Sequence, residues 1–172
     1  MAGDRESAVG TELRQGRPFV SPAQEATIAL LRTASVVGRA LERVTEAHGL
    51  SLAQYNALRI VRGAGSNGIP TLAIRERMIE QGTTITRLLD KLEAAGLVRR
   101  ERAPADRRQV ICYATNQGLR LLAEMDPAVD AADEEAMAGI PAAVLRPFVE
   151  TLDAIRSANA VRGAPAHEAQ AA

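Results

Sequence analysis

TTITRLLDKLEAAGLVRRERAPADRRQVICY occupies residues Thr83 to Tyr113. Ile85, Leu88, Leu89 and Leu92 fall at i, i+3, i+4 and i+7, the spacing that lines four aliphatic side chains along one stripe of an α-helix. Thr83, Thr86, Arg87 and Asp90 repeat that spacing two residues out of phase, about 200° round the helix, with Thr84 and Lys91 beside them. The outer face is therefore polar, short-chained at its start and cationic further on. Gly96 stands where a helix takes a left-handed C′ residue, and Leu97 is placed for the hydrophobic contact that accompanies such an end. Beyond it LVRRER and RRQVICY are two short strand-type runs, separated by Ala103-Pro104-Ala105-Asp106, a turn composition. The stretch is expected to form a helix and then a hairpin.

A helix with a polar outer face, joined to a hairpin bearing Arg99, Arg100, Arg102, Arg107 and Arg108, suits double-stranded DNA. The helix can enter the wide major groove while guanidiniums reach phosphates or a narrow minor groove. A solvated amphipathic helix beside a cationic surface is the competing reading of the same residues.

The order of residues carries a resemblance. Thr84, Thr86, Arg87, Leu88, Asp90, Leu92, Glu93, Gly96, Leu97, Val98 and Arg100, then Asp106 and Arg108, then Thr115 and Gly118, match the recognition helix and wing of the MarR family of bacterial winged-helix regulators. The resemblance implies a mainly α (α+β) fold, a winged helix-turn-helix with a long helical dimerisation layer. Its order is two helices, a short strand, two helices, a two-stranded wing and two C-terminal helices. It also implies that Asp106 and Arg108 form a pair that shapes the wing. One of Arg107 and Arg108 would enter the minor groove, Arg108 being favoured and Arg107 the alternative.

From side-chain chemistry, Thr83, Thr84 and Thr86 are short enough to let the helix backbone near the groove, and can donate to phosphates or meet a thymine methyl. Arg87 is the expected base reader, through a bidentate contact to guanine, and Lys91 the phosphate contact. Arg102 joins Arg107 and Arg108 as the wing's contribution. Asp90 and Glu93 are expected to partner arginines, because carboxylates repel phosphates. Arg75 and Arg77 are read as surface charge, and Arg100 as pointing away from Arg99 and Arg102 on the strand.

The whole chain is consistent with this. At 172 residues it suits one domain with helical extensions. Two Phe, two Tyr and no Trp leave the core to Leu, Ile, Val, Met and Ala, which helical packing accepts. Formal net charge is zero but unevenly spread: residues 71–115 hold nine Arg and Lys against six acids, and residues 116–172 four against nine. No run approaches a membrane helix, and the N-terminus lacks the apolar core of a signal peptide, so a cytoplasmic protein with no membrane partner is expected. One cysteine, Cys112, fits a reducing compartment.

Residues 1–20 show no period and are expected to be a flexible tail. Ser21-Pro22 opens a helix over 21–48, with Ile28, Leu31, Ala34, Val37, Leu41 and Val44 as its apolar positions and Gly49 as its stop. Residues 50–115 are assigned to the winged helix-turn-helix, with the recognition helix at about 82–95 and the wing at 97–114. Within it Ser51 and Gln54 match a capping box, Ile69 is expected to pair briefly with the wing, and Thr71 to cap a helix through Ile74, Met78 and Ile79. Residues 116–160 are assigned to C-terminal dimerisation helices, the first capped by Thr115, built on Leu119, Leu122, Met125 and Val129, and kinked at Pro127. The second is built on Val144, Leu145, Phe148, Leu152 and Ile155, and 161–172 are expected to be a tail.

These features exclude an enzyme: no plausible nucleophile and base occur together, no glycine-rich phosphate loop precedes a helix, and the only two histidines are His48 and His167. No cofactor or metal is expected. The expected partners are double-stranded DNA, a second copy of the chain and, by the resemblance, a small aromatic or phenolic effector that relieves repression. Two rival readings stand beside this: a dimeric winged-helix adaptor without DNA readout, and a thiol sensor using Cys112.

Overall fold

The computed structural model describes residues 8–80, 84–103, 106 and 108–163, with side chains described to residue 160. The chain forms two compact units, Met1–Ala136 and Met137–Ala172. In the first, a five-residue helix α1 (Ala8–Glu12) precedes the long helix α2 (Pro22–Ala47). The stretch expected to be an aperiodic tail thus includes a helical turn, tied to α2 by an Arg32–Glu12 ion pair of 3.2 Å.

Helix α2 starts as its sequence requires. The Ser21 hydroxyl accepts from the Gln24 N–H, and Pro22, which has no N–H to leave unpaired, sits in the first turn. It ends with Gly49 at φ +77°, where the Gly49 N–H donates to Glu46 O and the Leu50 N–H to Thr45 O. These two bonds satisfy carbonyls that the last helical turn leaves open. Helix α3 (Leu52–Gly63) begins with the reciprocal Ser51–Gln54 capping box. A 3-10 turn (Gly65–Asn67) leads to β1 (Ile69–Pro70) and α4 (Thr71–Arg77).

Helix α4 departs from expectation at both ends. Its N-cap is Pro70, and the Thr71 hydroxyl instead donates to the Val110 carbonyl at 3.3 Å, pinning the helix start to the wing. Its last residue is Arg77, because Met78 turns extended (ψ 141°) to drop its side chain into the core. Ile79 is left 77% exposed, its N–H donating to Asn56 Oδ1.

The recognition-helix candidate is α5 (Ile85–Ala94), which starts later than position 82, with Thr84 as its N-cap residue. Leu88, Leu89 and Leu92 are buried and Ile85 packs against them. The end repeats the device of α2: Gly96 has φ +70°, its N–H donates to Glu93 O, and the Leu97 N–H donates to Leu92 O. Strands β2 (Val98–Arg102) and β3 (Val110–Ala114) follow, and the sheet order is β1-β3-β2, all antiparallel. Ile69 faces Cys112, as the brief pairing required, and Arg100 also pairs with Cys112 from the other side.

Helix α6 (Asn116–Ala136) runs uninterrupted across Pro127, capped by the Thr115 hydroxyl accepting from the Gly118 N–H at 3.1 Å. Leu122, Met125 and Val129 are buried in the same core as Leu58 and Val61 of α3 and Leu89 and Leu92 of α5, whereas Leu119 is 40% exposed. The winged-helix core therefore continues into α6. In the second unit, α7 (Ala142–Gly163) carries Pro147 within it and leaves Val144, Phe148, Val149 and Ile155 exposed. No helix among the described residues is long and apolar enough to cross a membrane.

Candidate nucleic-acid interface

Helix α5 points its aliphatic stripe inward, so Thr84, Thr86, Arg87, Asp90 and Lys91 are all exposed. Thr84 makes no side-chain capping bond, which leaves its hydroxyl available at the helix start. Thr83 and Arg107, two of the expected contact residues, lie outside the described residues.

The wing divides its arginines by what lies within reach. Arg100 donates from Nε and Nη2 to Glu93 Oε2 at 2.9 and 2.6 Å, and from Nη2 to Asp90 Oδ1 at 2.6 Å. Its backbone N–H also donates to Glu93 Oε1 at 2.9 Å, so one carboxylate holds the first strand of the wing to the back of α5. The side-chain bond from Arg100 holds the Glu93 carboxyl below the usual carboxylate range, and the same bond raises the Arg100 guanidinium further. Asp90 and Glu93 thus partner an arginine, as charge alone required.

The expected orientation of Arg100 is corrected. A strand has a period of two, so Arg100 shares its face with Arg102 and not with Arg99. Arg99 is on the other face: it pairs with Glu101 and lies 4.1 Å over the ring of Tyr113, its cross-strand neighbour.

At the wing tip the Ala103 N–H donates to the Gln109 carbonyl, and the Gln109 N–H to the Asp106 carbonyl. Asp106 Oδ1 accepts from the backbone N–H of Arg108 at 3.0 Å. The Asp106–Arg108 pair therefore exists, but through the main chain. The Arg108 guanidinium stays exposed and makes no ion pair among the described residues. The same holds for Arg87, Lys91 and Arg102.

The acids of this stretch are all engaged, Asp90 and Glu93 with Arg100, Glu101 with Arg99 and Asp106 with the tip backbone. Among the described residues from Thr84 to Tyr113, the cations left without an ion pair are Arg87, Lys91, Arg102 and Arg108. A cleft of about 480 Å³ between the start of α4, the start of α5 and the wing brings Thr86, Asp106 and Arg108 together with Thr71, Arg75 and Gln109. Arg87, Lys91 and Arg102 are not on its lining. Arg75, read from sequence as mere surface, belongs to this face.

Cys112 is fully buried in β3, and burial pushes its thiol up to about 11. The thiolate that metal binding or oxidation requires is therefore strongly disfavoured.

A model of the MarR family matches residues 50–110. The transcriptional regulator HosA of Escherichia coli O157:H7 is 33% identical over 101 residues, 59% of this chain and 73% of that protein. HosA of Escherichia coli O111:H- is 36% identical over 86 residues, half of this chain and 62% of that relative's length. Among solved structures, CouR from Rhodococcus jostii RHA1 bound to p-coumaroyl-CoA superimposes with a TM-score of 0.68 at 28% identity, covering 80% of this chain and 95% of that one.

Proposed function

The chain belongs to the MarR family of transcriptional regulators, and from that premise we propose that it binds double-stranded DNA as a homodimer. Helix α5 enters the major groove, with Arg87 reading guanine and Thr84, Thr86 and Lys91 meeting backbone or base edges. Arg108 enters the adjacent minor groove, while Arg102 and Arg75 meet phosphates. Thr83 and Arg107 join this set on sequence grounds. The observation that carries the reading is the set of exposed cations Arg87, Lys91, Arg102 and Arg108, which make no ion pair among the described residues, in a stretch whose acids are all otherwise engaged.

Dimerisation is supported by aliphatic side chains that the first unit leaves in solvent on α2 and α6, Leu31 at 66% exposure, Val36 and Leu119. A two-fold dimer presents its two α5 helices to half-sites about one turn apart, so the operator is pseudo-palindromic. The protein acts in the cytoplasm as a repressor, relieved by a small aromatic or phenolic effector that prefers another spacing of the two helices. The solved structure of CouR with p-coumaroyl-CoA supports that class of effector.

The test is fluorescence anisotropy with the DNA upstream of the protein's own gene, across a salt series. Affinity is expected to fall by orders of magnitude between about 50 and 200 mM salt. Binding that is absent, or indifferent to salt, returns the protein to the adaptor reading. The thiol-sensor reading is disfavoured by the buried, protonated Cys112.

A further inference from the structure

The C-terminal end of α5 and the N-terminal end of α6 are joined by more than apolar packing. The Thr115 hydroxyl donates to the Gly96 carbonyl at 2.6 Å while accepting from the Gly118 N–H, and the Thr115 backbone N–H donates to the Leu97 carbonyl at 3.0 Å. Gln117 Nε2 donates to the Ala95 carbonyl at 3.4 Å. The three successive carbonyls 95, 96 and 97, which lie past the last turn of α5, are thus all bound by the first turn of α6.

Gly118 completes the joint. It is buried and has an ordinary helical backbone, so no left-handed conformation explains it. A Cβ there would sit well inside 3.0 Å of the Leu97 carbonyl oxygen and 3.2 Å from Leu58 Cδ1. Only a residue without a side chain lets α6 lie this close to the chain leaving α5. Helix α6 in turn packs along α2, and these two helices carry the exposed Leu31, Val36 and Leu119.

We propose that Thr115 and Gly118 are positioning residues that fix the angle of α5 on the α2–α6 frame, and so set the half-site spacing the dimer accepts. The inference rests on the functional reading above. Its physical content is rigidity: a hydrogen-bonded joint without slack transmits the frame's geometry to α5, whereas a loose one lets each α5 find its own half-site. One extra base pair moves a half-site by about 3.4 Å and turns it by about a tenth of a turn, which a rigid pair of helices cannot follow.

The experiment selects a duplex from a random-sequence library with the wild-type chain. Affinity is then measured for that duplex with its central spacer shortened or lengthened by one base pair. For the wild type, either change is expected to cost about 10²-fold, the low end of what is lost when two linked sites cannot engage together. Gly118→Ala is expected to move the preferred spacer, or to shrink that penalty to a few-fold. Thr115→Val should do the same more weakly, and Thr115→Ser, which keeps the hydroxyl, should behave as wild type. A residue that merely stabilised the fold would lower the active fraction on every spacer alike. Should Gly118→Ala fail to fold, Thr115→Val decides alone. Folded, dimeric variants with an unchanged spacer profile overturn the inference alone. A wild-type chain that selects no duplex overturns the functional reading and this inference together.

Discussion

Replacing Arg100 with Gln removes the three guanidinium bonds that hold the wing to α5, while the main-chain bond to Glu93 survives. A hydrogen bond to a charged group contributes about 1.5–3 kcal/mol, and a solvated ion pair about 0–1 kcal/mol. The Arg100 side chain is 23% exposed, Glu93 38% and Asp90 54%. The Asp90 arm thus falls at the low end, and the Glu93 arm is discounted for its contact with water. The expected loss is about 1–2 kcal/mol at pH 7, a drop in Tm of about 3–6 °C for a chain this long. The pH dependence has a definite sign. Glu93 is held below its ordinary range, first by the side-chain bond from Arg100, so its contribution is present above that range. It disappears as pH falls through the lowered folded value. Thermal unfolding followed by circular dichroism, at one fixed protomer concentration, should show a clear gap between wild type and variant at pH 7 that closes on acidification. Equal Tm values at pH 7, or a gap that persists once Glu93 is protonated, would refute the reasoning.

Arg87→Ala should cost about 1–3 kcal/mol of affinity for the selected duplex and relax preference at one base pair, whereas Lys91→Ala should weaken all duplexes alike and reduce the salt slope by about one. Both are read by anisotropy over sequence and salt series. Native protein should leave Cys112 unmodified by a thiol reagent at pH 8 and release the thiol only in denaturant, since burial keeps it protonated up to about 11; fast reaction of the native chain would revive the sensor reading. Leu31→Glu combined with Leu119→Glu should give a monomer by sedimentation, because it places charge on two of the three large aliphatics exposed on α2 and α6, Leu31, Val36 and Leu119; a dimer of unchanged strength would mean that these helices are not the interface. Glu101→Gln should free Arg99 from its pair and tighten DNA binding modestly at low salt, and weaker binding would show that Arg99 serves only Tyr113.

Much of this fold was legible because its signals are local. Ser21-Pro22, the Ser51–Gln54 box, and Gly49 and Gly96 with a leucine after each name helix ends through bonds between residues a few positions apart. The stripe at Ile85, Leu88, Leu89 and Leu92 named the buried face of α5 for the same reason. What escaped depends on partners distant in sequence. Helix α4 ends at Arg77 because the core takes Met78 and Asn56 takes the Ile79 N–H, and Thr71 turns from capping toward Val110 because β3 is there. The helical turn at Ala8–Glu12 lies where no period marks it, and Glu12 meets Arg32 twenty positions on. Leu119 and Leu31 fit a helical period, yet period alone cannot say whether this chain covers a stripe or leaves it open.

The site illustrates the same divide within one residue type. Counting charge over residues 71–115 gives an excess of cation but treats every arginine alike. Arg99 is spent on Glu101 and Tyr113, and Arg100 on Glu93 and Asp90, so two of the wing's cations act inside the protein. Each also neutralises acids that would otherwise repel a phosphate backbone. Asp106 does the reverse at the tip: by accepting from the Arg108 main chain it orders the turn without tying up the Arg108 guanidinium. Internal pairing therefore does more than stabilise the wing. It occupies Asp90, Glu93 and Glu101, although Asp90 and Glu101 stay exposed, while Arg87, Lys91, Arg102 and Arg108 make no ion pair among the described residues, so a polyanion would meet unpaired cations beside acids already neutralised.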